Sequence, residues 1–333
     1  MEGNATSSSR TCCPFTTTAV DGILPPILIL EFVFGLLGNG LALWMLAFHV
    51  SSWKPHSMYL LHLTVADTIV LFCLPFRADY YLRHKDWRFG DAMCRILMFL
   101  LAANRTAGIF FLTAVAVDRY LKVVYPRSRL SRLGLGWASL ISCCIWAAIL
   151  AMTVYLLTVS HIEELEGHRQ CESFQICLDF RWDSIWHETL YLLQFLVPTV
   201  IICFCTACIA HQLRTRTVDT GGRIRRAVYL VLAVATVFIL CFLPSTACRL
   251  AVIVLKTQYS ECVYFEPTNL AFYTSVCLTY FNSVLNPVVY YLSSPAISRT
   301  LQQLWNKLLP VGKRRPPPPP PPSSGVYTVS RPM

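Results

Sequence analysis

Three sites in the sequence place ionisable side chains inside apolar stretches. Arg105 lies within the run from Ile96 to Val117, Asp67 lies within LHLTVADTIV, and Asp118 precedes Arg119 just beyond the Arg105 run. A charge at the centre of a bilayer costs about 2.5–3.5 kcal/mol, so it usually serves a function. A structural contact between helices is the alternative, and for asparagine, serine and threonine it is the commoner one. We expect function at the three charged sites.

Arg105 has the chemistry of a carboxylate anchor. It lies 11 residues beyond Cys94, roughly 16 Å below the outer end of its helix at 1.5 Å per residue. Asp67 is the nearest intramembrane acid that we expect, and it is suited to a cation site. A guanidinium binds a carboxylate through two charge-assisted hydrogen bonds. The sequence therefore predicts that a ligand supplies the carboxylate that Arg105 binds.

The composition indicates a membrane protein. Hydrophobic residues make up 55% of the 333 residues and charged residues only 14%, and the mean hydropathy is +0.51. The net charge of +10 could suggest nucleic acid, but a basic excess is also typical of the cytoplasmic loops of membrane proteins. Because the first residues are polar and lack an apolar core, we expect no cleavable signal peptide. We expect membrane lipids, and no nucleic acid, around this chain.

Seven stretches are long and apolar enough to cross a bilayer, which takes about 20 residues. The strands of a membrane barrel would be about half as long and would alternate polar with apolar residues. The sequence therefore predicts an all-α bundle of seven spans. They are approximately Ile23–Phe48, Met58–Tyr81, Asp91–Val124, Gly134–Val159, Trp186–Leu213, Arg223–Leu255 and Pro267–Leu292.

The basic residues orient the bundle. With the N-terminus outside, more than half of the 28 lysines and arginines fall in cytoplasmic segments, while acids such as Glu163, Glu164 and Glu172 fall outside. This predicts an outer tail over residues 1–22, a seven-span domain over 23–292, an amphipathic surface helix over 293–309 and a proline-rich cytoplasmic tail over 310–333. Asn4 is then a usable glycosylation acceptor. The sequon at Asn104 is not, because it lies at membrane depth.

The cysteines divide between the outer side of the membrane and the interior of the spans. Six of the 15 fall in outer segments or at the tops of spans, and none forms the paired spacing of a zinc site. An even number on the oxidising side indicates a framework of three disulfides. These six are Cys12, Cys13, Cys94, Cys171, Cys177 and Cys262.

The polar and proline positions taken together resemble those of the rhodopsin-like G-protein-coupled receptors. The resemblance covers the whole chain and rests on Asn39, Asp67, Asp118-Arg119-Tyr120, Trp146, Pro198, Pro244 and Asn286-Pro287-x-x-Tyr290. It implies a sodium or water network at Asp67, Asn39, Asn104, Asn282 and Asn286. It also implies a switch built from Asp118, Arg119, Tyr120, Phe242, Pro244, Pro287 and Tyr290. Gly108 replaces the hydroxyl residue usual in the family, which counts against strong sodium binding.

Longer stretches narrow the resemblance. FGLLGNGLALW, LPFRADYY, NRTAGIFFLTAVAVDRYLKVV and FLPS followed by Arg249 are similar to the hydroxycarboxylic acid receptors and to the oxoeicosanoid receptor. Arg77, HSMYLLHLTVAD and NRTA favour the oxoeicosanoid side. The resemblance implies the disulfides Cys94–Cys171, Cys12–Cys177 and Cys13–Cys262.

The same resemblance implies a ligand site. Arg105 would hold the ligand carboxylate, and Arg249, Ser173, Phe174 and Tyr280 would complete the pocket, with Arg77 as a third cation. The alternative for Arg77 and Arg249 is that they extend into water at the mouth of the bundle. Three cations and many aromatic residues suit an oxidised fatty acid, and short hydroxycarboxylic acids of the nicotinate, lactate or butyrate type are the second choice.

The family also implies partners and a location. We expect a plasma-membrane receptor that signals through an inhibitory-class G protein, with arrestin and receptor kinases as further partners. A carrier that uses Arg105 and Asp67 is the remote alternative, but the repeat symmetry of transporters is absent. An enzyme is less favoured still, because no HExxH, GxSxG or clustered acid–histidine motif is present.

Overall fold

A computed structural model describes residues 18–49, 53–165, 167–172, 182–215, 223–259, 261–264 and 266–293. Helices dominate this part of the chain, and short 3₁₀ turns lie at Leu130–Arg132 and Cys262–Tyr264. The helices are α1 Thr18–Phe48, α2 Pro55–Leu71, α3 Leu74–Leu82, α4 Gly90–Val124, α5 Leu135–Thr153, α6 Tyr155–Thr158, α7 Trp182–Thr215, α8 Arg223–Gln258 and α9 Glu266–Ser293.

The predicted seven-span bundle is confirmed. Six helical segments of the described chain are long and apolar enough to cross a membrane: Asp21–Phe48, Pro55–Leu82, Gly90–Val124, Leu135–Thr158, Glu188–Thr215 and Arg225–Gln258. Helix α9 packs against α1 and α8 and is the seventh span. Its buried polar side chains, among them Ser275, Asn282, Ser283 and Asn286, lower its hydropathy and belong to the interior of the bundle.

The second span, expected at approximately Met58–Tyr81, consists of two helices. Pro75 has no N–H to bond the carbonyl one turn earlier, so helix α2 ends at Leu71 and α3 begins at Leu74. The amide of Cys73 instead donates to the carbonyl of Val70 at 2.8 Å. The tighter turn between α2 and α3 precedes Arg77, which is buried inside the bundle.

A β-hairpin that the sequence analysis did not predict lies in the second outer loop. Strand β1, Ile162–Leu165, pairs antiparallel with β2, His168–Cys171. Gly167 has a φ of +83°, a left-handed conformation that glycine adopts without strain, in the turn between them. The expected Cys94–Cys171 disulfide ties β2 to the top of α4. The amide of Trp87 also donates to the carbonyl of Arg169 at 2.8 Å, so the hairpin is fixed at two points.

Several expectations lie outside the described residues. They concern Asn4, the surface helix over 293–309 and the tail over 310–333. The Cys12–Cys177 and Cys13–Cys262 bridges need side chains that are not described, so they stay predictions. Helix α1 begins at Thr18, within the expected outer tail. The other nine cysteines are free thiols in the described part of the chain.

Most of the buried apolar side chains in the described chain form an outer and an inner cluster. The outer one includes Trp87, Leu97 and Phe272, and the inner one includes Phe111 and Phe238. Large apolar side chains also cover the outside of the bundle, including Leu37, Val200 and Phe204. A surface of this kind is matched to lipid rather than to water.

Helices α1 and α9 approach closely at Gly38. A Cβ at this position would lie 2.8 Å from Cγ of Pro287, a rigid ring, whereas a Cβ at Gly40 would meet no atom within 4 Å. We predict that Gly38→Ala lowers the melting temperature of the purified protein, since overpacking typically costs about 1–3 kcal/mol. Gly40→Ala, the matched control, should leave it unchanged or raise it, because alanine favours helix. Equal effects of the two substitutions would contradict the predicted contact.

Candidate functional site

A cavity of about 100 Å³ lies in the outer half of the bundle. Helices α3, α4, α5, α6, α7 and α9 and the residue after β2 contribute to its wall. The sequence-predicted residues Arg77, Arg105 and Tyr280 meet here, together with Tyr191 and Glu172. Ser173 and Phe174 lie outside the described residues, and Arg249 does not line the cavity among the residues described.

Arg105 is buried, with 7% of its surface exposed. Its Nη2 donates to Oγ1 of Thr246 on α8 at 3.0 Å, and its Cζ lies 3.8 Å from the ring centroid of Tyr191 on α7. Its Nε and Nη1 have no hydrogen-bond partner in the described chain. A buried guanidinium that keeps unsatisfied N–H groups is suited to an incoming anion.

Arg77 and Arg249 differ from Arg105 because each is paired with a protein carboxylate. Arg77 lies 3.5 Å from Oε2 of Glu172, and Nε of Arg249 donates to Oε2 of Glu188 on α7 at 2.8 Å. Both arginines are buried, so the alternative that they extend into water is wrong. Of the three cations expected around one cavity, Arg77 and Arg105 line it in the described chain and Arg249 does not, and the acids that pair with Arg77 and Arg249 were not predicted from the sequence.

Of the four asparagines expected around Asp67, two bond its carboxylate, Asn104 and Asn286. Its Oδ1 accepts hydrogen bonds from Asn104 Nδ2 at 2.9 Å and Ser283 Oγ at 2.8 Å, and its Oδ2 accepts one from Asn286 Nδ2 at 2.6 Å. Ser283 was missed, although it lies one helical turn before Asn286. Asn39 bonds the carbonyls of Gly35 and Ser283 and not Asp67.

Oxygen atoms near Asp67 could hold a monovalent cation. The side-chain oxygens of Asn39, Asn282 and Asn286 are buried and have no hydrogen-bond partner in the described chain. Hard cations take oxygen ligands of this kind. Gly108 leaves no room for a further ligand, because a Cβ there would lie 2.9 Å from Asn282 Nδ2 and 3.1 Å from Phe242 Cζ.

The cytoplasmic end of α4 holds a charged cluster. Asp118 lies 2.6 Å from Nζ of Lys122 and 3.8 Å from Nε of Arg119, and Nδ1 of His56 lies 4.0 Å away. The expected Asp118–Arg119 pair therefore exists, but Lys122 is the closer partner. Nε and Nη2 of Arg119 are buried without a partner among the described residues. The ring of Tyr120 packs against Phe204 on α7.

The remaining predicted switch residues lie in the core. Phe242 lies two residues before Pro244 in α8, is fully buried and packs edge-on against Phe238. Pro287 is inside α9, and Tyr290 is buried one turn closer to the cytoplasm. These prolines and rings occupy the helices that surround Arg105 and Asp67.

One buried acid escaped the sequence analysis altogether. Glu31 in α1 is only 4% exposed, and its Oε2 has no hydrogen-bond partner in the described part of the chain. The signal was available, because ILEFVFGLL places a carboxyl in the middle of an apolar run. Glu31 is therefore a second buried acid at membrane depth, in addition to Asp67.

Comparisons with known proteins agree with this architecture. The family model described as 7 transmembrane receptor (rhodopsin family) matches residues 38–290. Human hydroxycarboxylic acid receptor 3 is 44% identical over 90% of this chain and 77% of its own length. Human oxoeicosanoid receptor 1 is 38% identical over 87% of this chain and 74% of its own length. These two identities do not by themselves favour the oxoeicosanoid side.

Ser283 gives a direct test of the Asp67 network. We predict that Ser283→Ala destabilises the purified protein by roughly 1.5–3 kcal/mol, because a hydrogen bond to a charged group is lost. Ser275→Ala is the matched control, since this buried serine on the same helix donates to the carbonyl of Phe272 at 2.7 Å and bonds no acid among the described residues. Thermal unfolding in detergent measures both. A larger loss for Ser275→Ala than for Ser283→Ala would contradict the network.

Proposed function

We propose, on the premise that the chain belongs to the rhodopsin family of seven-transmembrane receptors, that its ligand is a carboxylic acid whose carboxylate binds Arg105. The relatives that match along nearly its whole length are receptors. The chain is accordingly a multi-pass plasma-membrane receptor with a small-molecule ligand and a G-protein partner, and it is not an enzyme.

The observation that carries the proposal is the free hydrogen-bonding capacity of Arg105. Its Nε and Nη1 lack partners in the described chain, and the guanidinium faces a cavity of about 100 Å³. A carboxylate bonds an adjacent pair of guanidinium N–H groups, either Nε with Nη2 or Nη1 with Nη2, and the bond to Thr246 uses only one of the two hydrogens on Nη2. The aromatic ring of Tyr191 covers the other face of the cation and stabilises its charge.

A wider groove supports a ligand with a long apolar body. It has a volume of about 580 Å³, is lined mainly by apolar side chains of α4, α5 and α7, and shares Met152, Leu190 and Gln194 with the Arg105 cavity. Gln194 lies at this junction, where Thr106 Oγ1 donates to its Oε1 at 3.4 Å. An oxidised fatty acid would place its carboxylate on Arg105 and extend its chain past Gln194.

A short hydroxycarboxylic acid is the second candidate. The Arg105 cavity, at about 100 Å³, is smaller than the about 300–1,000 Å³ of pockets that bind drug-sized ligands, so it suits an acid of a few carbon atoms. The 44% identity to human hydroxycarboxylic acid receptor 3 also supports this class of ligand. The two candidates differ in chain length and share the same anchor.

Activation would pass from Arg105 to α8. Its Cζ lies 5.9 Å from the ring centroid of Phe242, and its partner Thr246 bonds the carbonyl of Phe242 at 2.8 Å. A ligand that moves this pair biases α8 about Pro244 toward an arrangement open to the G protein. We propose that this G protein is of the inhibitory class and that arrestin and receptor kinases act on the active form of the receptor. We also propose that a sodium ion binds at Asp67.

Arg105→Ala tests the anchor. We predict that potency for activating acids falls by about 30-fold or more, because losing one partner of a buried charge pair costs about 2–5 kcal/mol. G-protein activation in cells, measured against carboxylic acids from short hydroxy acids to oxidised polyunsaturated fatty acids, gives the result.

Arg95→Ala is the matched control for this test. Arg95 lies on the same helix, pairs with Asp91 and is partly exposed, so its loss should change potency little. Acids that activate the Arg105→Ala receptor as strongly as the wild type would overturn the proposal. Uptake of labelled acid without G-protein activation would favour a carrier.

Leu190→Trp separates the two ligand classes. The larger ring should close the junction between cavity and groove, so we predict a loss of at least about tenfold in potency for long-chain acids and little change for short ones. Leu196→Trp, on the exposed lipid side of the same helix, is the control. If only short acids activate the wild type, the short-acid class is correct and the groove has no role.

A further inference from the structure

We propose that Glu172 restricts the receptor to ligands with a single carboxylate, because its own carboxylate is paired with Arg77, the second cation of the ligand cavity. The inference rests on the proposed function, since it assumes that Arg105 binds the ligand. It assigns a specificity role to an acid in the second outer loop.

The pairing of Glu172 with Arg77 takes place inside the cavity. Both side chains line it, both are buried, and Oε2 of Glu172 lies 3.5 Å from Nη2 of Arg77. Arg77 also donates to the carbonyl of Cys171 at 3.1 Å and to the hydroxyl of Tyr81 at 2.9 Å. Glu172 thus takes the position on Arg77 that a second ligand carboxylate would need.

The backbone holds Glu172 at this position. Cys171 is joined to Cys94 at the top of α4, and the amide of Glu172 donates to the carbonyl of His161 at 3.2 Å. A tethered carboxylate has a high effective concentration at its partner, so a dissolved carboxylate competes with it poorly. A ligand carboxylate therefore gains little by approaching Arg77.

The charge balance of the cavity leads to the same conclusion. The charged residues that line it in the described chain are Arg77, Arg105 and Glu172, which sum to one positive charge. Lys85 outside the cavity also faces Glu172, although burial lowers the pKa of this lysine to about 8. One ligand carboxylate neutralises the cavity, whereas a second would be repelled by Glu172.

The test compares aliphatic monocarboxylic acids with α,ω-dicarboxylic acids of matched length. The readout is the ratio of monoacid to diacid potency in G-protein activation, with surface expression measured in parallel. We expect the wild type to prefer the monoacid and Glu172→Gln to reduce this ratio by about tenfold or more, a change of about 1.4 kcal/mol. Adding Arg77→Gln to Glu172→Gln should restore the ratio, because the freed cation is removed.

Glu188→Gln is the matched control, because it breaks the other buried pair, at Arg249, which does not line the cavity. It should leave the ratio unchanged. A ratio that stays unchanged in Glu172→Gln at the cell surface, or that falls equally in Glu188→Gln, overturns the inference.

A second measurement uses the wild type and so does not depend on a variant that folds. The monomethyl ester of each diacid has nearly its length but one carboxylate fewer. We expect the ester to activate about as well as the monoacid, and an ester rejected as strongly as the diacid overturns the inference. If no monoacid activates the wild type, the proposed function itself fails, an outcome distinct from an unchanged ratio.

Discussion

The structure depends on one constraint, that a charge inside the membrane must be neutralised or hydrogen-bonded. Asp67 receives three hydrogen bonds, Arg77 is paired with Glu172, and Arg249 is paired with Glu188. Each contact joins residues of different elements, so each also fixes how those elements pack. Arg105 differs from the other two arginines of the outer half, because its interactions in the described chain are with a hydroxyl and aromatic rings and with no carboxylate.

Two adjacent residues on α4 connect the two polar systems. Asn104 bonds Asp67, and Arg105 faces the cavity and the hydroxyl of Thr246. Gly108, one turn below, lets Phe242 and Asn282 approach the helix closely. A carboxylate that binds Arg105 would therefore affect α8 through Thr246 and Phe242. It would also affect the Asp67 network, because Asn104 lies on the same turn of α4.

Much of this arrangement follows from the sequence, and the remainder depends on tertiary contacts. Apolar runs located the spans, and the depth of Arg105 and Asp67 followed from residue counting. The acids that neutralise Arg77 and Arg249 could not be assigned in this way, because Glu172 and Glu188 lie 95 and 61 residues away on other elements. Pro75 signalled the break in the second span but was not used, and the hairpin was too short for periodicity to detect.

The central claim is that Arg105, the one of the three arginines with no carboxylate partner in the described chain, binds the ligand carboxylate. An experimental structure of the receptor with an activating acid and its G protein tests it most directly. The account predicts a ligand carboxylate about 2.7–2.9 Å from Arg105 nitrogens, with the Arg77–Glu172 and Arg249–Glu188 pairs retained. A carboxylate bound to Arg77 or Arg249, with Arg105 turned away from it, would contradict the account.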